Sequence, residues 1–525
     1  MWFLTFSLLA LGLGFLGLDF VTAFSSAATA IANVGPALGP FTGPAQTFQH
    51  LPDALKYGNN PWAASYGPES HVWGYEAIAT TGRAPFTLPR GKVIGGSSSV
   101  NGQVFFRGIP EDYDEWLDLG NPGWSYSDVL PYFRKSENDL DHGSDDFHGN
   151  DGPIPVRMHD KENLLPHNKA FLDACLAAGF PHTDDTNHPD STGVGRRTFN
   201  NIDGVRMSAS LTYLAIARHR LNLTIRGEAM VRKIIIEKSR ATSLEVGIDG
   251  EVFMVHGKEI ILCGGAINSP QLLMLSGVGP SVHLRQMGIE IVKHMPGVGQ
   301  NLRDHPSVFM LFDSYLDSLP EGNPVSQVGM RFTTPGSKVK NDMQMTPLLM
   351  NSEHRPIYVD LDPSDTHVGF SIGLQKALTS GQITLNSANP NDHPILEYRY
   401  LSHEEDRRRM REAVKLCLDI AESPMYVGIL KKRLSPSDSE ISSDAAMDEW
   451  MLSVVGTQHH SSGTCKMGPA DDEMSVVNHE GRVHGIKSLR VVDASIMPDV
   501  VRANTNATVI MIAEKIADEI RKSSQ

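Results

Sequence analysis

The end of the chain is the feature that most restricts how this sequence folds. A mostly polar stretch at 503–508 runs directly into an apolar segment with helical spacing, which predicts a helix body at 509–521. Asn506 and Thr508 are residue types that cap helix N-termini, so we expect the helix to begin near them. The free N–H groups and partial positive charge of a helix start stabilise a neighbouring negative charge. The sequence therefore predicts a terminal helix that turns its positive end toward a site.

Two adjacent histidines on a glycine-containing turn form a second candidate feature. His459 and His460 are followed by Gly463 and Thr464. An imidazole titrates near pH ~6.5, so a useful fraction accepts a proton at neutral pH. Cys465 comes five residues after His460 and invites interpretation as a nucleophile, but a packed thiol is the more frequent case for a free cysteine.

Composition limits the classes of function. A chain of 525 residues is too long for one core and indicates two domains or a large discontinuous one. The formal charge of −15, from 46 basic and 61 acidic residues, offers no basic patch for nucleic acid, so a small-molecule partner is favoured. The four cysteines are far apart and lack C-x-x-C spacing, so neither a disulfide framework nor a metal site is predicted.

Four ordered segments carry glycine, proline and small polar residues in characteristic patterns. They are 88–102, 264–273 with 275–280, 296–302 with 304–306, and 489–498. Together they resemble the signatures of the glucose-methanol-choline (GMC) oxidoreductases, FAD-dependent alcohol oxidases and dehydrogenases. The resemblance extends from about Trp73 to the C-terminus. It implies an α/β fold in which a Rossmann-like FAD-binding domain is joined to a substrate domain with an antiparallel sheet.

The resemblance also implies a division of the chain. Residues 1–306 would form most of the FAD-binding domain, with 139–205 partly on the substrate side. Residues 307–450 would form the substrate-binding domain, and 451–525 would return to the FAD-binding domain with the catalytic histidine and asparagine. The pattern of the middle unit predicts strands at 307–312, 366–374, 382–385 and 395–398 and a helix at 404–422. Its Met343, Met345 and Met350 are candidates for an apolar pocket, although methionine in a core is the more frequent case.

Carried over from the family, the cofactor contacts fall on short motifs. They are Val93, Gly96, Ser97, Asn101, Gly102, Val231, Asp493, Ala494 and Asn506. Small residues around Gly96 let the backbone approach phosphate or ribityl oxygens, and Val231 would contact adenine through its backbone. Asn506 fits a helix cap and a flavin contact equally well. Val100 stands where some relatives attach FAD through a histidine, so the FAD is expected to be noncovalent.

The catalytic roles follow from the same resemblance. His460 is the expected base, which takes the hydroxyl proton of a small alcohol while hydride leaves the carbinol carbon for flavin N5. His459 is then a packing or supporting residue. Asn504 stands where relatives have histidine or asparagine, and its amide would orient the substrate oxygen. O₂ or another acceptor would reoxidise the flavin. Two alternatives stay open: a hydroxynitrile-lyase-like enzyme of the same fold, and a flavin-deficient noncatalytic relative.

The N-terminus departs from the family pattern. Residues 2–24 are strongly apolar. A signal peptide usually has a basic residue before its apolar segment, but the first lysine or arginine of this chain is Lys56. Asp19 lies within the apolar segment and argues against a membrane-spanning helix. Two interpretations of this segment are open: a leader or membrane anchor, and a buried strand followed by a helix. The first predicts a secreted or membrane-associated protein, with membrane contact only through 2–24, and the second an intracellular one.

The same segment contains one G-x-G-x-x-G pattern, at Gly12, Gly14 and Gly17. A dinucleotide fingerprint also needs an acidic residue about 20 positions later. None occurs between Asp19 and Asp53, so the pattern is a weak signal. This gap motivates the flavin-deficient alternative.

Overall fold

The computed structural model describes residues 71–317, 326–350 and 366–523. The fold is mixed α/β, as predicted, and this part of the chain contains eight helices of six or more residues. Helices α1 to α8, in chain order, are Pro110–Asp118, Tyr126–Ser136, Pro166–Ala177, Gly265–Leu275, Ser281–Gln286, Glu404–Ala421, Asp444–Val454 and Thr505–Ser523. The helical patterns at 404–422 and 509–521 correspond to α6 and α8, the two longest of these.

The largest sheet is formed mainly by the middle of the chain. Its strands, in spatial order, are Leu430–Ser435, Pro306–Ser314, His367–Leu374, Met343–Met350, Val328–Phe332, Gly193–Arg196 and His182–Thr183, and Gly456–Thr457 also pairs with Pro306–Ser314. All of these pairings are antiparallel except the one between His182–Thr183 and Gly193–Arg196. The antiparallel sheet implied for a substrate domain is therefore present. The domain bounds themselves stay a prediction.

The strand Met343–Met350 separates the core from a cavity. Met343 and Met345 are fully buried in the core, and Met350 is buried farther along against Gly369. The cavity is lined from this strand by Gln344, Thr346 and Leu348. Successive side chains of a strand point to opposite faces, so residues next to a cavity-facing one face the core. The core interpretation of the methionines is therefore confirmed, the pocket alternative is wrong, and mostly polar residues of this strand face the cavity.

A short parallel pair brings two distant signature segments together. Ile260–Leu262 pairs in parallel with Leu489–Val491. Parallel strands end at the same edge of a sheet, where α/β proteins bind ligands. At that edge Asp493 Oδ2 accepts hydrogen bonds from Gly265 N at 2.9 Å and from Ser269 Oγ at 2.6 Å. The contact fixes the start of α4 beside the fourth signature.

The other sheets are smaller. A three-stranded antiparallel sheet contains Met230–Glu237, Arg240–Ile248 and Glu251–His256, and a four-stranded one contains Phe86–Gly91, Val72–Ile78, Ile395–Glu397 and Gln382–Thr384. Another small sheet has three strands, Glu137–Asp139, Ile154–Met158 and Thr198–Phe199. Two further sheets have two strands each: Val278–Gly279 with Lys293–His294, and Asn201–Ile202 with Val205–Arg206. The strands predicted at 382–385 and 395–398 are thus confirmed within one residue at each end.

The terminal helix α8 is held in place by α1 and α2. Tyr113 Oη lies 3.0 Å from Thr508 Oγ1, and Tyr132 Oη donates to Asp518 Oδ2 at 3.3 Å. The helix begins at Thr505, so Asn506 and Thr508 lie inside its first turn. The prediction that these two residues cap the helix is therefore wrong, because the Thr508 hydroxyl is taken by Tyr113 and the helix starts earlier.

A buried charge cluster lies apart from the cavity, around His148. Its ring contacts Glu137 at 2.9 Å, Asp139 at 3.1 Å and Asp185 at 3.0 Å, and Arg107 forms an ion pair with Glu137. Burial alone would lower the pKa of His148, but the three carboxylates raise it to about 11. These side chains have metal-ligand chemistry, yet both ring nitrogens are already paired with acids. We interpret the cluster as internal charge pairing, and the absence of a metal site stays a prediction.

Some predictions fall on parts of the chain outside the described residues. The pattern at Gly12, Gly14 and Gly17 and the apolar segment 2–24 are among them. Within the described part, none of the helices combines the length and the apolar character needed to cross a membrane. The expectations about a leader and about localisation therefore stay predictions.

Candidate active site

A cavity of about 580 Å³ lies where three of the four signature segments meet the largest sheet. The predicted site residues that line it are Gly96, Ser97, Asn101, Gly102, His460, Asp493, Ala494, Asn504 and Asn506. Val93 and Val231 do not line it. Val93 O accepts a hydrogen bond from Gly96 N at 2.8 Å, and Val231 pairs with Val246 in a sheet. The structure thus brings together all the predicted site residues except two, and the cofactor contacts of all of them stay predictions.

The glycine turn gives this cavity a wall of backbone. Gly95 and Gly96 have φ of 92° and 56°, a region that suits glycine. A Cβ added to Gly91 would lie 2.3 Å from Gly96 O, so the two strands of the turn touch without side chains between them. Ser97 Oγ accepts from Gly91 N at 3.2 Å and holds the turn closed. A bound group can therefore approach the main chain directly.

Two helix N-termini open on the cavity. Gly265 at the start of α4 and Thr505 at the start of α8 both line it, so the partial positive charge of each helix start lies at the cavity, although the Gly265 N–H itself donates to Asp493. Asn506 Nδ2 and Asn504 Oδ1 are buried and have no hydrogen-bond partner among the described residues. The exposed backbone of the glycine turn, the helix starts and the unpaired amides can form hydrogen bonds with the phosphate and ribityl oxygens and with the polar atoms of a flavin ring. The residues present therefore fit FAD.

His460 lies between a second histidine and an asparagine. Its Nδ1 is 2.8 Å from His305 Nδ1, and its Nε2 is 3.0 Å from Asn504 Nδ2. His305 Nε2 lies 2.9 Å from the carbonyl oxygen of Val501. The three groups form a chain that leads from the protein interior to the cavity.

This chain fixes the tautomer of both rings. A carbonyl oxygen only accepts, so His305 Nε2 carries the proton and donates to Val501 O. His305 Nδ1 is then the acceptor in the neutral ring, and His460 Nδ1 must donate to it. His460 Nε2 is left unprotonated, and its lone pair accepts a hydrogen bond from Asn504 Nδ2. The nitrogen at the cavity is therefore the basic one.

Asp304 holds the backbone of both histidines. Its Oδ1 accepts from His305 N at 2.7 Å and from His460 N at 2.8 Å. Its Oδ2 accepts from Tyr400 Oη at 2.6 Å and from the Thr457 hydroxyl. One buried carboxylate thus sets the relative position of the two rings.

The surroundings keep these histidines neutral. Burial lowers the pKa of His305 to about 3. Burial, helped by His459 and the nearby Arg90 and Arg197, lowers the pKa of His460 well below 6.5. The neutral, proton-accepting form of His460 is therefore favoured.

His459 and Cys465, which lie near His460 in the sequence, have different environments. His459 lines the cavity and has a φ of 67°, a left-handed conformation that nonglycine residues rarely adopt and that clusters at functional sites. Cys465 is fully buried, and burial raises the pKa of its thiol well above 9. The packed-thiol interpretation of Cys465 is confirmed.

Sequence reasoning missed two contributors to the cavity. His305 belongs to the quoted segment 304–306, but only the fold brings its ring to His460. Its position directly after Asp304 was the available signal. Arg197 lines the cavity from the end of the strand Gly193–Arg196, and no sequence pattern separated it from its neighbour Arg196.

The comparisons with known proteins agree with this geometry. Family models described as GMC oxidoreductase match residues 70–307 and 377–513. An oxygen-dependent choline dehydrogenase from Photobacterium profundum is 36% identical over 503 residues, which cover 90% of this chain and 86% of that protein. The crystal structure of pyridoxine 4-oxidase from Mesorbium loti matches with a TM-score of 0.83 and 28% identity, covering 90% of this chain and 92% of the other.

A formate oxidase from Aspergillus oryzae RIB40 has the same fold, with a TM-score of 0.80 at 23% identity over 88% of this chain and 90% of the other. Fold and cavity together define a flavin-dependent oxidoreductase. More narrowly, the chain belongs to the GMC oxidoreductase family. FAD is its cofactor.

Proposed function

We propose that this protein oxidises a small-molecule alcohol to a carbonyl compound and that His460 is the catalytic base. The observation that carries the proposal is the unprotonated Nε2 of His460. It is fixed by the hydrogen bond to His305 and lies at the cavity 3.0 Å from the Asn504 amide. A neutral imidazole beside a hydrogen-bond donor is the arrangement that removes a proton from an alcohol.

The residues for FAD are those of the backbone cradle and the helix starts. Gly96, Ser97, Asn101 and Gly102 would hold it from one side, and the 493–494 turn and Asn506 from the other. When bound there, FAD accepts the hydride that leaves the carbinol carbon. Val100 has no atom that forms a bond to flavin, so we propose that FAD is held noncovalently, and acid precipitation should release all of the yellow colour into the supernatant.

The proton is handled by the chain's own residues. A substrate hydroxyl that replaces the direct hydrogen bond between Asn504 and His460 would accept from Asn504 Nδ2 and donate to His460 Nε2. As the hydroxyl proton moves to Nε2, His305 keeps the ring aligned through Nδ1. The resulting imidazolium is disfavoured by its buried surroundings, so it releases the proton readily once the carbonyl has formed.

A visible spectrum under anaerobic conditions tests the proposal. The FAD-containing protein is mixed with a panel of alcohols, including the choline that the relative from Photobacterium profundum is named for. Loss of the flavin band on mixing supports alcohol oxidation. An unchanged band with release of a carbonyl compound would indicate a lyase instead, and protein without a flavin band would indicate the flavin-deficient alternative. Reoxidation by O₂ then separates an oxidase from a dehydrogenase.

A further inference from the structure

Arg197 is a buried cation at the cavity. Its residue surface is 9% exposed, and its side chain lines the cavity. Its Nη1 donates to Ser326 Oγ at 3.2 Å, and its Nε has no partner among the described residues. Within the same residues no carboxylate lies in ion-pair distance of it. Burial lowers the pKa of Arg197 to about 10, so it stays charged at neutral pH.

The surrounding structure holds this guanidinium in a defined place. The Arg197 backbone N–H donates to Gln327 O at 2.8 Å, which ties it to the largest sheet. The guanidinium carbon lies 5.5 Å from the ring centroid of Phe106 and 5.8 Å from that of Phe199. Two aromatic rings therefore fix the cation without neutralising it.

The sheet that carries Arg197 adds further donors to the same cavity. Gln344 Nε2 and Ser307 Oγ are buried, line it and have no partner among the described residues. Asp493 is the only carboxylate among the described residues that line the cavity, and its oxygens already accept from Gly265, Ser269 and Ser495. The described lining of the cavity therefore offers positive charge and unpaired donors, and no free negative group.

We propose that the substrate of this site is an alcohol that also carries a carboxylate, and that Arg197 binds the carboxylate. A buried charge without a partner is unfavourable, so a ligand that supplies the opposite charge is strongly preferred. The planar guanidinium matches a carboxylate with two parallel hydrogen bonds. A quaternary ammonium alcohol would instead meet an uncompensated like charge. The inference rests on the proposed function and names its substrate class.

The reaction balances with FAD as the oxidant. The hydroxy acid loses a hydride from its carbinol carbon to FAD and its hydroxyl proton to His460. The product is an oxo acid, and FAD gains two electrons. The carboxylate stays unchanged on Arg197 and serves only to position the carbinol carbon.

Equilibrium binding tests the carboxylate site without turnover. Benzoate, benzamide and tetramethylammonium are titrated into the FAD-containing protein and followed by calorimetry. We expect benzoate to bind at least about tenfold more tightly than benzamide, because hydrogen bonds to charged groups are the stronger ones. Tetramethylammonium should bind least. Equal binding of benzoate and benzamide to the wild-type protein would overturn the proposal, whatever the variants do.

Matched substrates test it during turnover. Candidate pairs are 4-(hydroxymethyl)benzoate with 4-(hydroxymethyl)benzamide, and 3-hydroxypropanoate with 1-propanol. Arg197→Gln should lower kcat/KM for the acids by about 10- to 100-fold and change the neutral alcohols by less than about threefold. Arg197→Lys should recover part of the loss, since it restores the charge without the planar fork.

Arg331 provides the matched control. It is also buried and stacks on Phe106, at 4.9 Å, but its guanidinium donates to Thr186 O, Ser191 Oγ and Arg107 O and does not line the cavity. Arg331→Gln should leave the ratio of acid to neutral kcat/KM unchanged, even if the variant is less stable.

Two results separate the possible failures. If Arg197→Gln slows acids and neutral alcohols equally and shifts the FAD reduction potential, Arg197 acts on the flavin and the substrate inference is wrong. If no alcohol reduces FAD while benzoate still binds through Arg197, the carboxylate site stands and the proposed alcohol oxidation fails.

Discussion

Two buried histidines, His148 and His460, have opposite charge states because their neighbours differ. The His148 ring contacts three carboxylates, which raise its pKa to about 11 against the effect of burial. The His460 ring contacts His305 and Asn504, and burial with nearby cations lowers its pKa well below 6.5. Burial disfavours the charged form in both places, so the neighbours decide the outcome.

The difference shows where the molecule leaves chemistry for a ligand. Around His148 the positive charges form ion pairs with carboxylates of the same chain. At the cavity several buried polar atoms have no partner among the described residues, namely Asn504 Oδ1, Asn506 Nδ2 and Gln344 Nε2. Unpaired buried atoms also occur in the His148 cluster, at Arg107 Nε and Glu137 Oε2, so it is the position of the other three atoms on an open cavity that marks a site for a bound group.

The largest effect is expected at His460. His460→Ala should slow anaerobic FAD reduction by about 10²–10⁴-fold, because a general base is lost. The rate should recover in part at high pH, where more of the substrate is alkoxide. Stopped-flow absorbance of the flavin measures both effects.

His459→Ala is the control for that variant, because His459 also lines the cavity but is not in the hydrogen-bonded chain from Val501. Its effect should be much smaller. A nearly normal rate in His460→Ala together with a slow His459→Ala would show that the base is the other histidine.

His148 should matter for stability instead of catalysis. His148→Gln leaves Asp139 and Asp185 buried without their cation, while Glu137 keeps Arg107, and this loss should destabilise the fold by about 3–5 kcal/mol. The urea concentration at the unfolding midpoint measures it. His182→Gln removes a histidine beside Asp184 at the surface and should change stability by less than about 0.5 kcal/mol.

The same variant has a defined pH dependence. The pKa of His148 is raised from 6.5 in the unfolded chain to about 11 in the folded protein. Its contribution is therefore complete below about pH 6.5 and is lost as the pH rises toward 11. The stability difference between wild type and His148→Gln should shrink between pH 7 and pH 10. A constant difference would mean that His148 is not a buried cation.

An intermediate effect is expected at His305, which supports His460 without touching substrate. His305→Phe leaves His460 Nδ1–H without an acceptor, and a buried unpaired donor costs about 1–3 kcal/mol, or roughly 5- to 150-fold in rate. His305 is neutral and accepts from His460 Nδ1, a bond that is stronger when His460 is charged, so its loss should move the acid limb of kcat/KM to lower pH. A slower enzyme with an unchanged pH profile would point to a packing defect alone.

The sequence allowed the elements to be predicted better than their contacts. The strands Pro306–Ser314 and His367–Leu374 and the helix Glu404–Ala421 lie close to their predicted bounds, because apolar spacing is set locally. The start of α8 was predicted too late, because contacts from Tyr113 decide where Thr508 lies.

Only the site residues that lie within family motifs were predicted from the sequence. The turn around Gly96 and the pair His460 and Asn504 follow from the family signatures, and the structure places them at one cavity. Their partners do not follow, because His305 and Arg197 come from segments that only the tertiary fold brings near. Whether a buried charge is compensated is likewise a property of spatial neighbours, which a single sequence does not show.

The smallest of the expected effects, at Asn504, tests whether the cavity depends on the base more than on positioning. Asn504→Ala removes one hydrogen bond between neutral groups, worth about 0.5–1.5 kcal/mol, so anaerobic FAD reduction should slow by about 2- to 13-fold. Asn504→His should keep much of the activity, because an imidazole also donates and accepts. Stopped-flow rates for both variants are compared with those of His460→Ala at the same pH. If Asn504→Ala is as slow as His460→Ala, the amide is part of the proton transfer itself, and the contrast between one base and its neutral supports would have to be redrawn.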